Sequence, residues 1–243
     1  MAKYGLLGKD LSHSFSKSFF TKKFEKEKRK ATYHNFELEQ VELFPELLAQ
    51  TEGLKGLNVT IPYKEAIIPY LDKMDKEAAK IGAVNTIKFR KDGKLMGYNT
   101  DHYGFARALA DLFPIKEKTA LILGSGGASR AIRYVLDAME FDYEIVSREA
   151  SEDTIDYDSI TREIMEKHLL IVNCTPLGTS PNVDDCPHIP YQYIGTDHVL
   201  FDLIYNPSET EFMKRGFVKG ARVSNGLKML EYQAKKAWKI WKS

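Results

Sequence analysis

The sequence predicts an α/β protein whose second half forms a parallel sheet covered by helices on both faces. Three observations predict it. Short apolar, strand-like runs alternate with segments of helical period along the chain. A glycine turn joins the strand-like run 119–123, apolar after Thr119, to a helix that starts at Ala128. Between the halves lies 114–118, polar and helix-breaking, which reads as a domain junction.

In the first half, 4–7 is a short strand closed by Gly8, and Phe19, Phe20 and Phe24 recur at helical spacing in the next segment. Residues 33–38 read as a strand, 41–49 as a helix, and 57–61 as a strand stopped by Pro62. A helix through 77–81 precedes a hairpin in which Lys91-Asp92-Gly93 turns between 85–90 and 94–98. Asp101 is a suitable N-cap for a helix over 102–112, with Phe105, Leu109 and Leu112 on one face. Beyond the junction come strand 119–123, helix 128–139, strand 143–146, helix 160–167 and strand 169–173. Strands at 199–203 and 221–224 flank a helix near 209–214, and 226–241 is a final helix. Its tryptophans, Trp238 and Trp241, are expected to pack internally.

Composition bounds the function. The chain has 243 residues, 43% hydrophobic and 28% charged, enough to bury a core. Lys plus Arg is 35 against 34 for Asp plus Glu, a net +1, which excludes a dedicated nucleic-acid binder. No apolar run approaches a membrane span, and Met-Ala-Lys-Tyr-Gly is no signal peptide, so a soluble cytoplasmic protein is expected. Two cysteines and six histidines at unsuitable spacings give no metal site and no disulfide scaffold. Cys174 reads as a small buried residue ending a strand. Two charge blocks stand out: 22–30 with six basic and two acidic residues, and 149–158 with five acidic and no basic ones. Each is read as a solvated helix face or loop.

The glycine turn is Gly124-Ser125-Gly126-Gly127-Ala128. Gly124 allows a tight turn, Gly126 lets backbone approach a pyrophosphate, and the helix N-terminus supplies amides to hold it. Ser129 replaces the third glycine of the dinucleotide fingerprint and is still small enough for close packing. Strand before, helix after and strand beyond supply the context of dinucleotide binding, although S-adenosylmethionine-dependent methyltransferases use similar turns. After the second strand comes Ser147-Arg148-Glu149. Arg148 favours the 2′-phosphate of NADP, whereas Glu149 and the acidic block behind it keep NAD open.

Four polar clusters in the first half carry more functional groups than a surface needs: Ser12-His13-Ser14-Phe15-Ser16, Asn58–Lys64, Ala83–Thr86 and Asn99-Thr100-Asp101. Singly, each can be read as caps and solvated side chains. Together with Asn173-Cys174-Thr175-Pro176-Leu177-Gly178 and Gly226-Leu227-Lys228-Met229-Leu230-Glu231-Tyr232-Gln233, in this order, they resemble the shikimate dehydrogenase family over nearly the whole chain.

That resemblance implies reversible reduction of 3-dehydroshikimate to shikimate by NADPH, in the route to chorismate and aromatic amino acids. It implies Lys64 and Asp101 as the catalytic pair. Ser14, Ser16 and Tyr205 would hold the substrate carboxylate, and Thr60, Asn85 and Gln233 its ring hydroxyls. Gly124, Gly126, Gly127 and Ala128 would cradle the cofactor phosphates, and Arg148 the 2′-phosphate. Asn173, Thr175, Leu203 and Gly226 would line the nicotinamide side. The implied architecture has two domains: an α/β substrate domain with a mixed sheet, 1–101 with 226–243, and a Rossmann-like dinucleotide domain, 102–225. The active site is expected in the cleft between them, in a monomer or homodimer. His13 is expected to be structural.

The chain departs from the family pattern at three places: Lys17 stands where the family commonly has Pro, Ser147-Arg148-Glu149 where it has Asn-Arg-Thr, and Glu152 near where a second basic residue often follows. These leave a quinate or mixed quinate/shikimate dehydrogenase using NAD as the alternative. A catalytically silent ligand sensor on the same fold is the alternative from a different class. The chemistry suits the residues. Reducing a ketone needs a hydride, which the cofactor carries, and a proton, which Lys64 as an ammonium can give. Oxidation of the alcohol needs an unprotonated base and is expected to quicken as pH rises.

Overall fold

In the computed structural model, which describes residues 1–11 and 14–243, the described chain builds two six-stranded sheets. They belong to separate compact units, Met1–Thr100 with Ala234–Ser243, and Asp101–Gln233.

The first unit runs β1 (Ala2–Gly8), α1 (Phe15–Lys26), β2 (Ala31–Glu37), α2 (Phe44–Gln50), β3 (Leu54–Val59), α3 (Tyr63–Ala66), β4 (Lys73–Met74), α4 (Lys76–Ile81), β5 (Thr86–Phe89) and β6 (Leu95–Tyr98). Its sheet order is β2-β1-β3-β5-β6-β4. It is mixed because β1 pairs in parallel with β2 and β3, while β5 is antiparallel to both β3 and β6. Alternation along β1 sends Tyr4 and Leu6 to one face and Leu7 to the other. Tyr4 and Leu6 meet Phe20 and Phe24 of α1 together with Trp238 and Trp241. Leu7 joins Leu57, Phe44 and Ile67 on the opposite face.

The second unit runs α5 (Asp101–Ala110), β7 (Thr119–Leu123), α6 (Gly127–Ala138), β8 (Asp142–Ser147), β9 (Ile155–Asp156), α7 (Arg162–Lys167), β10 (Leu170–Asn173), β11 (Val199–Asp202), α8 (Glu211–Val218), β12 (Arg222–Ser224) and α9 (Leu227–Lys242). Residue 233 closes this unit, so the end of α9 belongs to the first. All the strand pairs of this sheet are parallel, in the order β9-β8-β7-β10-β11-β12. That is the doubly wound order, with its switch point between β7 and β10. Phe105, Ile132 and Met229 cover one face and Met165, Phe212 and Met213 the other. Strands covered on both faces must be apolar where they are buried, which is why 120–123 and 170–172 read as unbroken hydrophobic runs.

Several local expectations change. Residues 41–49 divide into a 3₁₀ turn, Val41–Leu43, and α2, because Pro45 can sit only in a helix's first turn. Asp101 is the first helical residue of α5 rather than a flanking cap. The acidic block 149–158 takes the loop form of that expectation, exposed over 149–153, except that Ile155 packs against the core and draws Ile155–Asp156 into the edge strand β9. Helix α3, which carries Lys64, had no periodic signal at four residues. Cys174 lies just past β10, and burial pushes its thiol pKa up. Among the described residues no helix is long and apolar enough to cross a membrane.

Candidate active site

The first unit organises its polar residues around the carboxyl ends of β1 and β3. Ser14 caps α1, its Oγ accepting the Lys17 N–H at 3.1 Å. Ser16, two residues on, is buried. Its side chain hydrogen-bonds the hydroxyl of Tyr33, whose pKa burial drives far above the ordinary tyrosine value while this hydrogen bond opposes the rise. The same hydroxyl donates to Asn58 Oδ1 at 2.8 Å. Asn58 Nδ2 then donates to the Asn85 carbonyl at 3.3 Å and to Thr86 Oγ1 at 3.2 Å. Asn85 Oδ1 accepts the Thr100 N–H at 2.6 Å and the hydroxyls of Thr86 and Thr100 at 3.2 Å each. A continuous buried network therefore runs from Ser16 to Asn85 and fixes both side chains before any ligand arrives.

Thr60 and Lys64 flank this network. The Thr60 N–H donates to the Leu7 carbonyl and its own carbonyl accepts from Tyr63, both at 2.9 Å, which turns the chain from β3 into α3. The carbonyl of half-buried Lys64 accepts the Val84 N–H at 2.7 Å, tying α3 to the residue before Asn85. His13 lies outside the described residues.

In the second unit, Asp101 and Gln233 are both buried. Gly104, one turn after Asp101 on α5, packs directly against the α9 backbone at Met229 and Gln233. A Cβ there would come within 2.5 Å of the Met229 carbonyl oxygen and 3.1 Å of Gln233 Cβ. Leu203 and Gly226 also meet, the Gly226 N–H donating to the Ile204 carbonyl at 2.9 Å, and half-buried Tyr205 follows directly.

The glycine turn has the geometry expected of a phosphate cradle. Gly124 holds φ +102°, open mainly to glycine. Gly126 is the N-cap of α6, and a Cβ built on it would meet nothing within 4 Å, so the space in front of the helix N-terminus is open for a pyrophosphate. Gly127 and Ala128 begin the helix. Ser129 is fully buried and its hydroxyl donates to the Gly126 carbonyl at 2.7 Å, closing the turn. Beside it, a cavity of about 390 Å³ is lined by Ser125, Arg133, Ile145, Ser147, Glu149 and Asp153 among others. Arg148, the expected phosphate ligand, is exposed.

On the other side of the switch point, Asn173 Oδ1 accepts the Thr175 N–H at 3.0 Å and its hydroxyl at 2.7 Å. Asn173 Nδ2 donates to Asp202 Oδ1 at 3.1 Å. Asp202 also accepts from the Ile204 N–H at 3.0 Å and the Thr210 hydroxyl at 2.6 Å. Burial pushes its pKa up to about 6, against those three hydrogen bonds. Sequence reasoning missed Tyr33 and Asp202. A tyrosine in a strand reads as core, but a lone carboxylate in an apolar run such as Phe201-Asp202-Leu203 was an available signal.

The family model described as the shikimate dehydrogenase substrate binding domain matches residues 6–87. A shikimate dehydrogenase (NADP(+)) of Clostridium beijerinckii is 42% identical, covering 98% of this chain and 91% of its own. The chain belongs to the shikimate dehydrogenase family. A second family member, the NADP(+) enzyme of Aquifex aeolicus, is 40% identical over 98% of this chain and 90% of its own. The crystal structure of the Thermus thermophilus shikimate 5-dehydrogenase, in complex with NADP(H) and shikimate, superposes with a TM-score of 0.88 at 30% identity, covering 99% of this chain and 93% of that one.

Proposed function

We propose that this protein is an NADP-dependent shikimate dehydrogenase, an oxidoreductase that reduces 3-dehydroshikimate to shikimate in the route to chorismate and aromatic amino acids. What carries the reading is full-length kinship: relatives named shikimate dehydrogenase (NADP(+)) align across 98% of this chain at 40–42% identity. The open cradle at Gly126 and the positive φ of Gly124 fit a pyrophosphate-bearing cofactor.

In this reading the second unit holds the cofactor, through Gly124, Gly126, Gly127 and Ala128 at the phosphates and Asn173, Thr175, Leu203 and Gly226 on the nicotinamide side. Bound NADPH supplies the hydride. The residues of the chain do the rest. Thr60, Asn85 and Gln233 orient the ring hydroxyls, and the three donors held by Asn85 Oδ1 fix its amide plane. Ser14, Ser16 and Tyr205 take the substrate carboxylate through aimed hydroxyls, without the cost of desolvating a buried cation. Lys64 gives its ammonium proton to the nascent alkoxide and Asp101 positions it. A cytoplasmic location and action as a monomer or homodimer, without nucleic acid, belong to the same reading.

The test compares shikimate and quinate as substrates, each with NADP and NAD, in the wild type and in Lys64→Ala. Turnover of shikimate with NADP should dominate, and kcat of the variant should fall about 10²–10⁴-fold, the scale of a lost proton donor, with a smaller change in KM. An unaltered kcat with a raised KM makes Lys64 a binding residue only. Absence of turnover in the wild type favours the silent sensor.

A further inference from the structure

We propose that Arg133, on α6, is a cofactor-specificity residue whose guanidinium takes the 2′-phosphate of NADP. The inference rests on the cofactor reading above. In a doubly wound sheet the adenine ribose lies at the carboxyl end of the second strand, here β8. The cavity lies at that end. Ser125, from the turn after β7, and Ser147, the last residue of β8, both line it and share a hydrogen bond between their hydroxyls at 3.2 Å.

Charge decides what this cavity needs. Glu149 and Asp153 stand on its wall, and a phosphate monoester brings a charge of roughly −1.5 to −2. Among the described lining residues, Arg133 carries the one positive charge that offsets them. It is half-buried, so its attraction is screened less than that of exposed Arg148. Its planar fork suits a phosphate. It is also held in place: the Tyr143 hydroxyl hydrogen-bonds Arg133 and donates to Asp137 Oδ1 at 2.9 Å. The acidic neighbours add a corollary. Carboxylates accept from a ribose 2′-hydroxyl, so loss of Arg133 turns the site toward NAD rather than abolishing cofactor binding.

The experiment measures dissociation constants of adenosine 2′,5′-bisphosphate and of 5′-AMP, which differ only in the 2′-phosphate, by calorimetry. The proteins are the wild type, Arg133→Ala, Arg133→Lys and Arg148→Ala, with the unliganded melting temperature of each as a folding control. The wild type should prefer the bisphosphate. Arg133→Ala should weaken the bisphosphate by about tenfold to a hundredfold, the scale of a hydrogen bond to a charged group, and leave 5′-AMP unchanged. Arg133→Lys should recover part of the loss, and Arg148→Ala should lose less than Arg133→Ala. A wild-type ratio retained in Arg133→Ala, or equal loss of both ligands, overturns the proposal. A wild type that binds both ligands equally overturns the NADP reading itself.

Discussion

Replacing Asp202 by Asn should uncouple the stability of the second unit from pH. The Asp202 side chain is fully buried, and its hydrogen-bond partners are neutral: the Asn173 amide, the Ile204 N–H and the Thr210 hydroxyl. Burial raises its pKa from 3.8 to about 6. Between those values the folded protein holds a proton that the unfolded chain has released. Stability therefore falls as pH rises from about 4 to about 6, and the loss is complete above that range. A shift of about two units corresponds to about 3 kcal/mol as an order of magnitude. Asn is nearly isosteric but offers one acceptor oxygen instead of two, at a pH-independent cost of about 1–3 kcal/mol. The variant should thus be less stable than the wild type at pH 4.5. Its relative stability should improve by about 2 kcal/mol between pH 4.5 and pH 8, the part of the shift that lies above pH 4.5. Urea unfolding at a series of pH values reads this, followed by far-UV circular dichroism because Trp238 and Trp241, the two tryptophans of the chain, both lie in the first unit. A stability difference that stays flat across the range refutes the reasoning.

Three further outcomes follow from the same geometry. Tyr33→Phe removes the hydroxyl between Ser16 and Asn58, leaving Asn58 Oδ1 without that donor; it should cost about 1–3 kcal/mol in denaturant unfolding and raise KM for shikimate more than it lowers kcat. Gly104→Ala drives a methyl against the Met229 carbonyl and should destabilise by about 1–3 kcal/mol, seen as a lower melting temperature. Gly126→Ala has room for its methyl and an extended backbone at φ −73°, ψ −179°, so the unliganded melting temperature should hold. Its affinity for NADP should still drop by about tenfold, because the methyl occupies the phosphate approach.

The second unit was legible in the sequence because a strand buried on both faces leaves no polar position in its buried stretch to confuse its pattern, as in residues 120–123. Elements too short to show a period were not legible: α3 has four residues and β9 two. The site was legible as residue types but not as a network. Tyr33 and Asn58 are 25 residues apart, and they meet only because β1 pairs in parallel with both β2 and β3. Arg133 is a similar case. On its own helix it reads as a solvated polar position, and only the adjacency of β7 and β8 sets it beside Ser147. Asp101 was legible as the start of a helix, whereas its burial depends on tertiary packing that no local signal encodes.

The last turns of α9 have a consequence for how the chain is made. Trp238 and Trp241 pack on Tyr4, Phe20 and Phe24, so the face of the first sheet that carries α1 stays only partly covered until those residues have left the ribosome. The second unit, Asp101–Gln233, is synthesised in between and is complete first. The first hundred residues must therefore wait through the translation of more than half the chain with an aromatic surface exposed. That interval makes the earlier-made half the one most dependent on chaperones and most sensitive to truncation near residue 238.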